Sequence, residues 1–222
     1  FLMQREVDRL ARLKDDPPSP MAAIFGGAKI SDKIGAIDAL LKTCDVLLIG
    51  GGMANLFFKA SGRDIGDSFI EADGLQTAAQ MIEQAGDKLV LPEDVVVARK
   101  LREDAEHETV STDAVSPGWR IVDIGPASIE RFAQTLKAMK GIIWNGPMGV
   151  FETRPFDRGT VALARRLAEA EAETIVGGGD TGAAVNQAGV ADKISHISTG
   201  GGAFLAFLAD KSLPGLAILN DR

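Results

Sequence analysis

Seven short apolar runs are spaced along the chain, at residues 22–25, 45–49, 88–91, 121–124, 141–144, 173–176 and 194–197, and each is continuous rather than alternating. A strand with one wet face alternates with period two, whereas a continuous run belongs to a strand covered on both faces, the habit of parallel sheets. Between most of these runs lie stretches with apolar residues at helical spacing, clearest over 32–42, 74–84, 128–140 and 157–172. The pattern predicts repeated β-α units with right-handed crossovers around a single twisted sheet. The expected fold is therefore α/β: a three-layer α/β/α sandwich, Rossmann-like and doubly wound on a mostly parallel sheet, with residues 1–222 forming one domain.

Two segments fall outside this rhythm. Residues 1–16 place Met3, Val7, Leu10 and Leu13 at helical spacing and stop at Pro17-Pro18-Ser19-Pro20, so residues 1–20 read as a leading amphipathic helix and a Pro-rich linker. Its apolar stripe suits either core packing or contact with a further domain. The chain starts at Phe1 where a native start would be Met, which points to processing or a fragment. Residues 104–120 are the least regular and read as a surface hairpin or loop, with His107 solvated.

Composition narrows the function. A formal net charge of -7, with no Lys/Arg run interleaved with aromatics, argues against a nucleic-acid surface. One cysteine, Cys44, and two histidines, His107 and His196, leave neither a disulfide framework nor a zinc cluster, and fit a reducing cytoplasm. No apolar stretch has the roughly 18–20 residues needed to span a bilayer, so no membrane role is expected.

Gly-Gly-Gly occurs at Gly50-Gly51-Gly52, Gly177-Gly178-Gly179 and Gly200-Gly201-Gly202, each time between an apolar run and a predicted helix. Glycine there admits close backbone approach, and the N–H groups and dipole of a helix start favour phosphate. In doubly wound sheets such turns lie beyond the carboxyl ends of the strands, where ligands bind. Lys29 and Lys33, four apart after Gly26-Gly27, share one helical face and suit a polyphosphate; solvated surface lysines are the alternative. Residues 177–182 formally match the G-x-G-x-x-G dinucleotide fingerprint, yet about 20 positions on, where an acid should hold the ribose, stand Ser198, Thr199 and Gly200. An NAD-dependent oxidoreductase is thereby disfavoured. Asp180 either caps its helix or holds a magnesium ion. After the run 141–144, Asn145-Gly146-Pro147-Met148-Gly149-Val150-Phe151-Glu152 has too many turn residues to continue a strand; it either wraps a ligand or is a turn behind a buried Trp144. Asn145 suits a phosphate oxygen and Glu152 a sugar hydroxyl.

In order and spacing these motifs resemble the phosphoglycerate kinase family, specifically its C-terminal, nucleotide-binding half. The carriers are Gly-Gly-Ala-Lys-Ile-Ser-Asp-Lys-Ile from Gly26, Gly-Gly-Gly-Met-Ala from Gly50, Asp-Ile-Gly-Pro from Asp123, Trp-Asn-Gly-Pro-Met-Gly-Val-Phe-Glu from Trp144, Gly-Gly-Gly-Asp-Thr from Gly177 and Ser-Thr-Gly-Gly-Gly-Ala from Ser198. The resemblance implies reversible phosphoryl transfer between 1,3-bisphosphoglycerate and ADP in glycolysis, giving 3-phosphoglycerate and ATP, with Mg2+ accompanying the nucleotide.

By the same resemblance Lys29, Lys33, Gly200, Gly201 and Gly202 would meet the migrating phosphoryl group, and Asp180 the magnesium. Gly26, Gly27, Gly50, Gly51, Val122 and Val150 would wall the adenine, Asn145 would bind phosphate and Glu152 the ribose. Pro147, Gly179, Thr181, Ser198 and Thr199 would complete the nucleotide site. The family's Asp-Phe-Asn-Val-Pro motif and arginine-rich patch are not in this sequence, so either phosphoglycerate would bind only with the N-terminal domain. The chain alone is expected to be nearly inactive, and its parent a monomer. Family members usually carry glutamates where this chain has Ala206 and Ala209, and a glycine at Asp210. A non-catalytic adenine-nucleotide-binding module is the alternative.

Overall fold

The computed structural model describes residues 10–11, 16–198 and 200–209. Of the leading-helix stripe, Leu10 is helical and buried; Met3, Val7 and Leu13 lie outside the described residues, as does Thr199. In chain order the elements are β1 (Met21–Phe25), α1 (Ile34–Leu41), β2 (Val46–Ile49), α2 (Gly51–Ala60), α3 (Leu75–Ala85), β3 (Leu89–Val90), β4 (Asp94–Ala98), β5 (His107–Ser111), β6 (Arg120–Ile124), α4 (Pro126–Lys137), β7 (Gly141–Asn145), α5 (Arg158–Leu167), β8 (Glu173–Gly177), α6 (Gly179–Gln187), β9 (His196–Ser198) and α7 (Gly201–Leu208).

Six strands form a sheet in the order β3-β2-β1-β7-β8-β9, every neighbouring pair parallel. Because side chains alternate across a strand, β1 sends Met21, Ala23 and Phe25 into one core with Ile37, Met53, Phe57 and Phe204 of α1, α2 and α7. Ala22 and Ile24 enter the opposite core with Phe132, Leu163 and Val185 of α4, α5 and α6. Both faces are covered, which is why the strands read as unbroken apolar runs, and the three-layer doubly wound architecture follows.

The sheet is not single, however. The run 121–124 belongs to β6, which with β4 and β5 makes a separate three-stranded antiparallel sheet in the order β5-β4-β6. Within 104–120, read as hairpin or loop, lies β5, whose residues are mostly exposed. His107 is exposed there, its ring edge-on to Phe156. Asp94, at the start of β4, accepts the N–H groups of Ala127 (3.0 Å) and Ser128 (2.7 Å) and so ties the small sheet to the first turn of α4.

The chain winds outward from β1 to β2 and β3, then, after the small sheet, outward the other way from β7 to β8 and β9. The order reverses between β1 and β7, the place where an open α/β sheet leaves a crevice at its carboxyl edge. The loops that leave these two strands are the ones richest in motif residues.

Candidate functional site

The Lys29–Lys33 spacing had suggested a shared helical face, but α1 begins only at Ile34, with Lys33 as its N-cap residue. The loop after β1 instead closes as a turn in which Ile30 O accepts from Lys33 N (2.8 Å) and Ile34 N (3.0 Å). Without a Cβ, which on Gly26 would strike Pro147 O, Gly26-Gly27 lets the neighbouring loop hydrogen-bond across it: Gly26 N donates to Asn145 O (2.9 Å) and Gly27 N to Pro147 O (2.8 Å). The first triplet joins the same seam, since Gly51 N donates to Met148 O at 3.1 Å and Met53 N to Gly27 O at 2.8 Å.

The loop after β7 is held from behind. Trp144, wholly buried, donates its indole N–H to Gly146 O (2.8 Å). Gly146 N donates to Thr181 Oγ1 (2.7 Å) and Met148 N to Thr160 Oγ1 (3.0 Å). Buried hydroxyls of α6 and α5 thus fix a loop with no regular structure of its own.

Three adjoining hollows follow the carboxyl ends of β1, β7 and β8. The first, about 600 Å³, is bounded by Gly27, Gly51, Val122, Pro147, Val150 and Glu152. Gly26 and Gly50 stand behind that wall, where a Cβ would run into Pro147 O and the Met148 thioether. Much of its remaining surface is apolar, with Phe58, Phe69, Val95, Leu101 and Ile121, alongside Asn55, Asp67 and Arg120. Among the described residues the large hydrophobic side chains left exposed are Phe69 (56%) and Leu101 (50%), and both lie in this hollow. A slot with uncovered apolar walls and acidic groups at its rim, Glu152 and Asp180, suits a flat ring attached to a sugar.

The second hollow, about 340 Å³, shares Gly27, Pro147 and Asp180 with the first and adds Lys29, Lys33, Asn145, Gly179 and Thr181. The third, about 600 Å³, is reached past Lys33, Asn145 and Gly178, which border both, and is edged by Gly201, Gly202, Ala206 and Ala209. Gly178 has φ +99°, a backbone state that glycine enters without penalty, and a Cβ there would come 3.1 Å from Asn145 Nδ2. A Cβ on Gly201 would lie 3.3 Å from Gly178 Cα, so the second and third triplets abut. Gly200 is the N-cap of α7, its N–H directed at the buried Ser198 Oγ (3.4 Å).

Electrostatics differ along the track. Burial lowers the Lys33 pKa below the ordinary lysine value, against the pull of Asp32, Asp180 and Glu71. Its ammonium is thus partly desolvated and would gain from an arriving anion. Lys29 and Asp180 are exposed. Asn145 is buried, donates one N–H to Gly177 O (2.8 Å) and borders both the second and the third hollow. The Thr181 hydroxyl accepts from Gly146 N and so holds the loop, and Thr181 also borders the second hollow.

No group of three or more His, Cys, Asp or Glu gathers among the described residues. That donor set suits magnesium, which takes one or two carboxylates and completes its octahedron with phosphate oxygens and water. Asp180 and Asp32 are the carboxylates that line the second hollow. Where a dinucleotide site would need its ribose acid, β9 ends in Ser198. Phe58, Phe69 and Leu101 had not been singled out from the sequence, because an apolar residue left uncovered looks there like any core residue.

The comparisons with known proteins agree with this layout. The family model described as phosphoglycerate kinase matches residues 1–211. The phosphoglycerate kinase of Herpetosiphon aurantiacus is 52% identical over all of this chain and 57% of its own length; that of Levilactobacillus brevis is 51% identical over 100% and 56%. The structure of phosphoglycerate kinase from Coxiella burnetii superposes with a TM-score of 0.94 at 44% identity, covering 100% of this chain and 58% of that one. The enzyme from Pyrococcus horikoshii gives a TM-score of 0.88 at 32% identity, covering 99% and 56%. The chain thus spans little more than half the length of the relatives it matches. With a family model running along nearly all of it, and the same motifs gathered along one sheet edge, the chain belongs to the phosphoglycerate kinase family.

Proposed function

We propose that these 222 residues are the C-terminal, nucleotide-binding domain of a phosphoglycerate kinase, which binds MgADP or MgATP and takes part in reversible phosphoryl transfer between ATP and 3-phosphoglycerate. The observation that carries this is the order of the three hollows along one crevice. An apolar slot with Glu152 at its rim would take adenine and ribose. A corner with Lys29, Lys33, Asn145 and Asp180 would take the phosphates and magnesium. The starts of α6 and α7, with Gly200, Gly201 and Gly202, would face the phosphoryl group in transit.

In the ATP-consuming direction the acceptor is a carboxylate, ionised at neutral pH, so the step needs no general base. One carboxylate oxygen forms a bond to the γ-phosphorus as the bond to the β–γ bridging oxygen breaks, and ADP leaves with that electron pair. The chain's part is to hold the nucleotide in line and to neutralise spreading charge with lysine ammonium groups and backbone N–H donors. Magnesium, held by Asp180, would supply charge compensation at the phosphate oxygens. The acidic substrate would be held by parts of a family member that lie outside these residues. The same reading includes a glycolytic, cytoplasmic setting; among the described residues no helix is long and apolar enough to cross a membrane.

Isothermal calorimetry with MgADP and MgATP is the direct test. Binding at micromolar to millimolar nucleotide is expected, with turnover only when the remainder of a family member is supplied in cis or in trans. A folded sample that ignores millimolar MgADP overturns the reading, and turnover by the isolated chain overturns its incompleteness. Turnover absent even with the remainder supplied would favour the non-catalytic nucleotide-binding module.

A further inference from the structure

The segment that supplies Phe69 to the first hollow continues directly into Glu71, and Glu71 reaches the lysine loop. Glu71 Oε2 accepts the Ile30 N–H at 2.9 Å and the Ser31 N–H at 3.1 Å, across about 40 residues of sequence. These two amides lie between Lys29 and Lys33, in the turn that no helix yet stabilises. The same segment is anchored at its other end by Asn55 Nδ2, which donates to Phe69 O at 3.1 Å. It packs tightly beneath the turn, for a Cβ on Gly74 would stand 2.8 Å from the Ile30 side chain. The Ser31 hydroxyl and amide, then Ile30 N–H and Lys29, hold the Glu71 carboxyl below the usual carboxylate range.

We propose that Glu71 is a positioning residue for the polyphosphate grip: by accepting the Ile30 and Ser31 amides it fixes the turn that presents Lys29 and Lys33 to the middle hollow. The inference rests on the nucleotide-site reading above. A carboxylate near a phosphate site is a cost by charge alone, so its presence there calls for a compensating duty. The two effects have opposite signs. Removing the charge relieves repulsion and tightens phosphate binding, whereas releasing the turn loosens it.

The test is an NMR titration of the 222-residue chain, of Glu71→Ala and of Glu71→Gln with MgADP and with AMP, which lacks the β-phosphate. Glu71→Ala, which removes charge and acceptor alike, is expected to weaken MgADP by about fivefold to thirtyfold, as loss of hydrogen bonds to a charged group does, while AMP changes by less than about twofold. The affinity ratio of MgADP to AMP therefore falls. A ratio that is unchanged or rises is the charge-only result and overturns the proposal, as does equal weakening of both ligands. Glu71→Gln keeps an oxygen able to accept both amides and lacks only the charge, so its MgADP to AMP ratio should stay above that of Glu71→Ala; equal loss in the two variants overturns the positioning role. Wild-type protein that binds AMP but shows no added affinity for MgADP overturns the positioning role alone; wild-type protein that binds neither overturns the nucleotide site itself.

Discussion

The Gly159 amide donates to Asp123 Oδ2 at 2.6 Å where Asp123 is 2% exposed, tying the small sheet to the first turn of α5. Ile124 N donates to the other oxygen at 2.9 Å, and Gly149 and Gly159 pack so closely that a Cβ on either would collide with the carboxyl group. Burial pushes the Asp123 pKa from 3.8 up to about 8; the Gly159 and Ile124 N–H groups oppose the shift and Asp157 adds to it. Between those values the folded chain keeps a proton that the unfolded chain has released. Stability is therefore fully present at the acid end and declines as pH rises through the window, by roughly 1.4 kcal/mol per pH unit at most. Asp123→Asn should flatten that decline, as read from thermal midpoints between about pH 5 and 8. Parallel profiles for the two proteins would refute it.

Lys33→Met removes a cation that is already partly desolvated. MgADP affinity should drop by about tenfold to a hundredfold, the worth of a charge-assisted hydrogen bond, while the thermal midpoint holds or rises. Since burial lowers the Lys33 pKa, wild-type affinity should begin to fall at a lower alkaline pH than an exposed lysine would set. Calorimetry across an alkaline series reads both, and an affinity that ignores the substitution would remove Lys33 from the site.

Asp180→Asn separates the metal from the nucleotide. Magnesium normally strengthens ADP binding where a carboxylate shares the ion, so the variant should lose most of that enhancement and keep its affinity for metal-free ADP. Titrations with and without magnesium decide the point. Equal enhancement in both proteins would place the ion elsewhere.

Thr181→Val keeps the side-chain shape and deletes the acceptor for Gly146 N, which is then buried without a partner. A cost of about 1–3 kcal/mol in denaturant unfolding is expected, together with weaker nucleotide binding because the loop after β7 loses its support. Unchanged stability would mean that water or a shifted loop replaces the hydroxyl.

The parallel core was legible because β1, β7 and β8 are covered on both faces and therefore unbroken in the sequence. The small sheet was not. β5 spells His-Glu-Thr-Val-Ser, mostly exposed, and β4 opens on Asp94 straight after Pro92-Glu93, a turn-like junction with no helix-length spacer between it and β3. In the candidate site the glycine-bearing loops announced themselves, since few other uses require such clusters at strand ends. Lys29 and Lys33 stand out by their spacing, although the helix inferred from it begins only after Lys33. Phe69, Leu101 and Glu71 stayed hidden because their significance lies in what they face across the fold, which no local pattern encodes.

The abutment of Gly178 on Gly201 has a consequence for how such a corner can vary. A surface made of main chain offers few handles to substitution: any side chain introduced at Gly178 must overcome its φ, and one at Gly201 meets the opposing backbone. Gradual adjustment by mutation is then confined to the margins, to residues such as Ala206 and Ala209, while the corner itself is inherited whole or lost.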